Sequence, residues 1–217
     1  LPIGLWQGVL GLQFNDRDFQ ADGAGHGHGG GEHGSEGFYV RANKTQSFGA
    51  FLLEELPTDF GRLEFAARID HVDSDPQALD EERHIELPGG VELEQAADIG
   101  DRSFTPFSLS AGSIIDLDAK HHLRLAVTRS QRAPSAEQLY AFGSHAAAGT
   151  LEIGDPNLDE ETYTNFEIGL DRHAGMFRFD ATLFYNRVKD FIYLEAQDDG
   201  TGNAVTVDGD TLVFNEQ

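Results

Sequence analysis

The run His26-Gly27-His28-Gly29-Gly30-Gly31-Glu32-His33 strings three imidazoles and a carboxylate on glycine. Neutral imidazole is a good ligand for zinc, copper and nickel. His26 and His28 stand two residues apart, and Glu32, His33 and Asp22 are near enough in sequence to complete a coordination shell. Glycine gives up much conformational freedom on ordering, so such a loop by itself binds weakly or adaptably. Protons compete for imidazole, so capture by these residues should weaken below about pH 6. The same composition also suits a flexible hydrophilic loop tip that binds nothing. The run is interrupted and internal, unlike a purification tag. Which reading holds depends on the elements that carry the loop.

Other candidate chemistry is thinner. His71 and His84 flank the acidic stretch Asp73–Glu82, and His145 lies in a later polar stretch. Each alone reads as a solvated loop histidine, although together with the first run they could form a shared metal funnel. His121, His122 and His173 fall elsewhere in the pattern and read as structural or solvated. Asp73–Glu82 and Gln197–Gly200 lack the glycine and terminal glutamate of a calcium-binding helical-hand loop. They read as solvated acidic segments whose field attracts cations. There is no GxSxG elbow and no HExxH, and the glycine-rich run lacks a phosphate-loop lysine. An enzyme is not expected, no cofactor is required, and the one ion to be considered is zinc as a transported ligand.

Composition narrows the partners. The net charge is −23 with only 15 Lys+Arg in 217 residues, which argues against nucleic acid and for cations. The lack of cysteine removes thiolate metal sites, disulfides and thiol nucleophiles together. No apolar run is long enough for a membrane helix. The first residues, LPIGLWQGVLG, lack the basic start and continuous apolar core of a signal peptide.

The elements that must position the histidines are strands. Two-residue alternation recurs in RLEFAARID (62–70), HLRLAVTRS (122–130), NFEIGLD (165–171) and RFDATLFYNR (178–187). Eight strands are expected, over 4–20, 43–56, 61–73, 103–116, 121–131, 162–173, 176–195 and 205–215. One helical turn is expected in 133–142, with Pro134 at its start and Gly143 at its end. Connections near 57–60, 117–120 and 173–175 are short, whereas those near 21–42, 74–102, 132–161 and 196–204 are long. Long and short links alternate along the chain, as in an outer-membrane barrel with short periplasmic turns and long extracellular loops. A soluble sandwich has no reason to collect its long loops at one end. Tyr163, Phe166, Tyr185, Phe191 and Tyr193 are candidates for an interfacial aromatic girdle. The expected fold is therefore an all-β, antiparallel transmembrane β-barrel.

Three segments in order, SQRAPSAEQLYAFG (130–143), EIGDPNLDEETYTNFEIGL (152–170) and FYNRVKDFIYL (184–194), resemble the C-terminal half of the barrel of TonB-dependent outer-membrane receptors. TQSFGAFLLEEL followed by GRLEFAARIDHV (45–56 and 61–72) is similar to a hairpin of the same family. In that family the first segment runs out into an extracellular loop, and the second returns from it. The resemblance implies a barrel of about 22 strands with a plugged lumen. Residues 1–217 would be a partial barrel of about eight strands, with the plug domain, the TonB box and the remaining strands absent. It also implies a bacterial outer-membrane location, lipid around the wall, the TonB system as a partner through the plug, and a metal ion or metal chelate as cargo. The histidine-rich run is similar to the extracellular loops of zinc-uptake (ZnuD-type) members. On that likeness His26, His28, His33 and Glu32 are the metal-capture ligands. A siderophore or other organic-chelate receptor of the same family is the alternative cargo reading. A soluble metal-scavenging β-domain is the alternative of another class.

Overall fold

The computed structural model describes residues 6–23 and 38–217. His26, His28, Glu32 and His33 thus lie outside the described residues. The strands are β1 (Gln7–Asp22), β2 (Phe38–Thr58), β3 (Gly61–Pro76), β4 (Arg83–Leu87), β5 (Val91–Gln95), β6 (Arg102–Phe104), β7 (Phe107–Asp118) and β8 (His121–Arg132). A short helix α1 (Ala136–Tyr140) precedes β9 (Phe142–His145), β10 (Thr150–Ile153), β11 (Glu161–Arg172), β12 (Phe179–Lys189), β13 (Tyr193–Ala196), β14 (Thr206–Val207) and β15 (Asp210–Glu216).

The main sheet runs β1-β2-β3-β7-β8-β11-β12, each strand antiparallel to its neighbours, with β6 also on β3. β6 and β7 are one stave broken at Pro106, which has no amide to give the ladder; its carbonyl accepts from the Asp70 amide at 3.0 Å. The hairpins turn at one end of the sheet, in two residues after Thr58 and after Asp118 and in six after Arg172, so that β12 begins at Phe179 rather than near 176. Gly61 opens β3 at φ 136, where an added Cβ would meet the Ile114 carbonyl oxygen at 2.0 Å, so this turn requires glycine. Among the described residues, β1 and β12 are the open edges of the sheet.

Register sorts the side chains into two faces. One row pairs Leu56, Leu63, Ser113, Leu125, Ile168 and Leu183; the next pairs Phe65, Ala111, Val127, Phe166 and Tyr185. Leu10, Leu12, Phe14, Phe48 and Leu52 extend this apolar face across β1 and β2. Most of these side chains are exposed, Leu183 by 75% and Leu12 by 70%, whereas Leu56, Leu63, Ala111 and Ser113 are half-buried. The opposite face carries ion pairs and hydrogen bonds: Arg62 to Glu64 at 2.7 Å, Arg68 to Asp70 and Gln13, Arg124 to Asp180, and Asn165 to Asn186. An apolar face open to the outside beside an ion-laden face is what lipid on one side and water on the other select.

The aromatic girdle is only partly where expected. Phe166 and Tyr185 face each other on the apolar side, within their strands. Tyr163 points to the polar face and donates to Glu161 at 3.0 Å. Phe191 and Tyr193 stack beyond the end of β12.

The stretch expected as one strand over 176–195 is interrupted. Asp190 takes φ 54 directly after β12, and Ile192 turns into the core. Beyond it, β13, β15, β10 and β9 form a second, smaller sheet in which β10 and β15 are parallel. The strand expected over 205–215 is therefore present as β15, but it belongs to this second sheet rather than to the wall.

The loops after β3 and β8 are built, not loose. β4 and β5 form a hairpin, and α1 packs Leu139 and Tyr140 into a core with Tyr39, Val40, Phe104, Leu158 and Ile192. Ser135 caps α1: its hydroxyl accepts from the Gln138 amide while the Gln138 side chain accepts from the Ser135 amide. Pro134 lies before this cap rather than inside the first turn. Ser135→Ala is expected to cost about 1 kcal/mol, and to speed amide exchange at Leu139–Ala141 while leaving β8 and β11 protected.

Candidate ligand-capture site

The histidine-rich run leaves the wall at Asp22 and returns at Phe38, which are paired across β1 and β2. A buried polar cluster stands at the foot of that loop. Glu152 is buried on β10 and accepts from the Tyr39 hydroxyl, from His145 Nδ1 at 2.8 Å and from Thr150 Oγ1 at 2.8 Å. The His145 ring stacks on Tyr39 with centroids 4.9 Å apart. Burial, reinforced by the Glu152 carboxylate, raises the Tyr39 hydroxyl pKa, so it stays a donor. His145 is thereby fixed by one ring nitrogen and half exposed, the arrangement that orients an imidazole toward a ligand.

Beside it, Arg83 sits over the Phe38 ring at 4.3 Å and the Phe142 ring at 5.3 Å, and donates to the Phe38 carbonyl at 2.8 Å. Its pKa is pushed down to about 10 by burial, with the Arg41 charge adding to this. Arg41 is fully buried and donates to Gln95 and to the carbonyls of Ala96 and Ala97, pinning the β5 exit against β2. Both arginines fix the foot of the loop rather than present charge to a ligand.

The other histidines do not converge on this place. His71 pairs across from Phe48, on the apolar side of the sheet, 3.3 Å from Asp73. His84 lies on the β4–β5 hairpin with Glu92 and Glu94. The shared funnel therefore reduces, among the described residues, to His145 with Glu152. Sequence reasoning missed Tyr39 and Glu152. Their pairing joins residues 113 positions apart, and no local motif announces it.

Nothing in this cluster is arranged as a nucleophile and its base. A polar-lined wall, an apolar outer face and a built cap of loops at one end define an outer-membrane receptor barrel. The chain belongs to the family described as "TonB dependent receptor-like, beta-barrel", whose model matches residues 1–216. That family comprises receptors and transporters of the bacterial outer membrane, not enzymes, and its members require no cofactor.

The heme/hemopexin utilization protein C of Haemophilus influenzae is 36% identical over 87 residues, covering 34% of this chain and 12% of that protein. Among solved structures, the copper transporter OprC superposes with a TM-score of 0.67 at 13% identity, over 99% of this chain and 31% of that one. The ferric enterobactin receptor PfeA of Pseudomonas aeruginosa gives 0.46 at 18% identity, over 97% and 36%. The chain thus spans about an eighth of the curated relative and a third of the solved transporter.

Proposed function

We propose that this chain forms wall and capture loops of a TonB-dependent receptor that takes up a divalent transition metal, zinc being the first candidate. His26, His28 and His33 would gather the ion, with Glu32 beside them. His145, held by Glu152 and Tyr39 at the foot of that loop, would receive it. The observation that carries the reading is this half-exposed, carboxylate-oriented imidazole next to the loop's return point. Four residues lie between His33 and Phe38, so five chain steps keep the two within about 18 Å. Inward transfer would need the plug and the TonB system, which act outside these residues.

Zinc titrated into the detergent-purified protein should bind at this end. Changing His26, His28 and His33 together to alanine should abolish that binding, and His145→Ala should weaken it about 10-fold. Equal affinity and equal uptake in the triple variant would sink the proposal. A heme reading draws on the Haemophilus relative's name, since a histidine can also hold heme iron. Hemin titration separates the two: a Soret shift that depends on His145, with no zinc heat that depends on His26, His28 and His33, favours heme.

A further inference from the structure

At the opposite, short-turn end, one row of the polar face crosses four strands: Asp116, His122, Asp171 and Asp180 are neighbours in register. His173, from the turn after β11, lays its ring on that of His122, with centroids 4.3 Å apart and planes within 17°. Both imidazoles aim Nδ1 at a single oxygen: His122 Nδ1 and His173 Nδ1 each stand 3.6 Å from Asp171 Oδ2. That is too long for a hydrogen bond. Ligands held tetrahedrally at about 2.1 Å from zinc stand roughly 3.4 Å from one another. Each nitrogen thus stands from that oxygen at nearly the spacing of two ligands on one ion, and the ligand atoms of the three residues all lie within 4.8 Å of one another.

The surroundings agree. Asp116 Oδ1 lies 3.3 Å from His122 Nε2, the far side of the ring. A carboxylate there fixes the tautomer that leaves Nδ1 free to coordinate. Arg124 Nη1 is 3.6 Å from the other oxygen of Asp171, but Arg124 spends its closest contacts on Asp180, at 2.6 and 2.7 Å. Oδ2 of Asp171 is left to the imidazoles. The rings lie side by side, so one imidazole turns about its side-chain bonds for both Nδ1 lone pairs to meet one ion.

We propose that His122, His173 and Asp171 form a second divalent-metal site, on the lumenal face at the periplasmic rim, with Asp116 orienting His122. Two nitrogens and a carboxylate suit zinc or copper(II) over magnesium or calcium. Three protein ligands leave at least one coordination position open to water or to the donor of a carrier. Such a site ties β8, β11 and the β11–β12 turn together. It is also placed to receive an ion leaving the barrel. The site does not depend on the loop-end reading, because it shares no residue with it.

The test is zinc titration of the detergent-purified protein beside a His122→Gln/His173→Gln variant and the His26, His28, His33 triple variant. The glutamine variant should lose one equivalent of zinc that the triple variant keeps. If it binds as many equivalents as tightly as the parent, the rim site does not exist. A second measurement uses the unmodified protein, so it does not depend on the variant folding. Zinc, but not magnesium, should protect His122 and His173 from imidazole acylation by diethyl pyrocarbonate, read by peptide mass spectrometry. Unchanged acylation of both overturns the proposal.

Discussion

Ile168→Arg is expected to destabilise the wall by about 2–4 kcal/mol in lipid, the cost of an arginine at the middle of a barrel's lipid face. Ile168 lies in the row with Leu125 and Leu183 and exposes 47% of its surface. Thr128→Arg, on the neighbouring strand and the polar face between Ser110 and Asn165, should cost less than about 1 kcal/mol, because that side chain meets water and carboxylates. The pair is informative because a soluble sandwich reverses nothing at Ile168. There an exposed arginine on an already exposed position would be neutral or would improve solubility. Urea titrations of the two variants in vesicles give the comparison. Equal stability of both would mean that the apolar face does not meet lipid.

The wall was legible in the chain because its signal is local. Alternation with period two survives any tertiary context that keeps one face apolar. The expected spans 61–73 and 121–131 accordingly match Gly61–Pro76 and His121–Arg132 to within a few residues. The short and long connections were legible for the same reason. What was not legible depends on partners distant in sequence or on single backbone angles. The strand expected to run through 195 stops at Lys189 because Asp190 turns left-handed and Ile192 is drawn into the loop core, a choice made by Glu161 and Tyr39's neighbours and not by FYNRVKDFIYL itself. One signal was present and unused: Ser135 and Gln138, three apart, are a capping box, and they mark the start of α1 better than Pro134 does. The histidines show the limit most clearly. The glycine-tethered run draws the eye in sequence. Yet His122 and His173, which read as structural or solvated, are the pair that register and the turn after β11 bring onto one carboxylate.

The second large effect concerns Glu161, at the loop end of β11 and above the apolar band. Its carboxylate is fully buried, yet it accepts from Arg132 Nε at 2.7 Å, from Arg132 Nη2, from the Tyr163 hydroxyl at 3.0 Å and from the Ile192 amide at 2.8 Å. One side chain thereby joins β8, β11 and the segment that leaves the wall for the second sheet. Glu161→Ala strands the Ile192 amide away from water and leaves a void. Arg132, about half exposed, can turn to solvent, which spares the full penalty of an orphaned buried charge. The expected cost is about 3 kcal/mol. It should be concentrated in 190–217, which would exchange amides faster while β2–β3 stays protected. Burial alone would raise the Glu161 pKa, but the Ile192 amide, Arg132 and Tyr163 together hold it below its ordinary value. A depressed folded pKa means that this stabilisation is complete above the unfolded carboxyl pKa, about 4.3, and is lost as pH falls through the folded value. Parent and Glu161→Gln should therefore differ most near neutrality, and their melting temperatures should converge as the pH falls below about 4. A gap between the two that is constant from pH 7 to pH 3 would show that the carboxylate's charge is not what ties the second sheet to the wall.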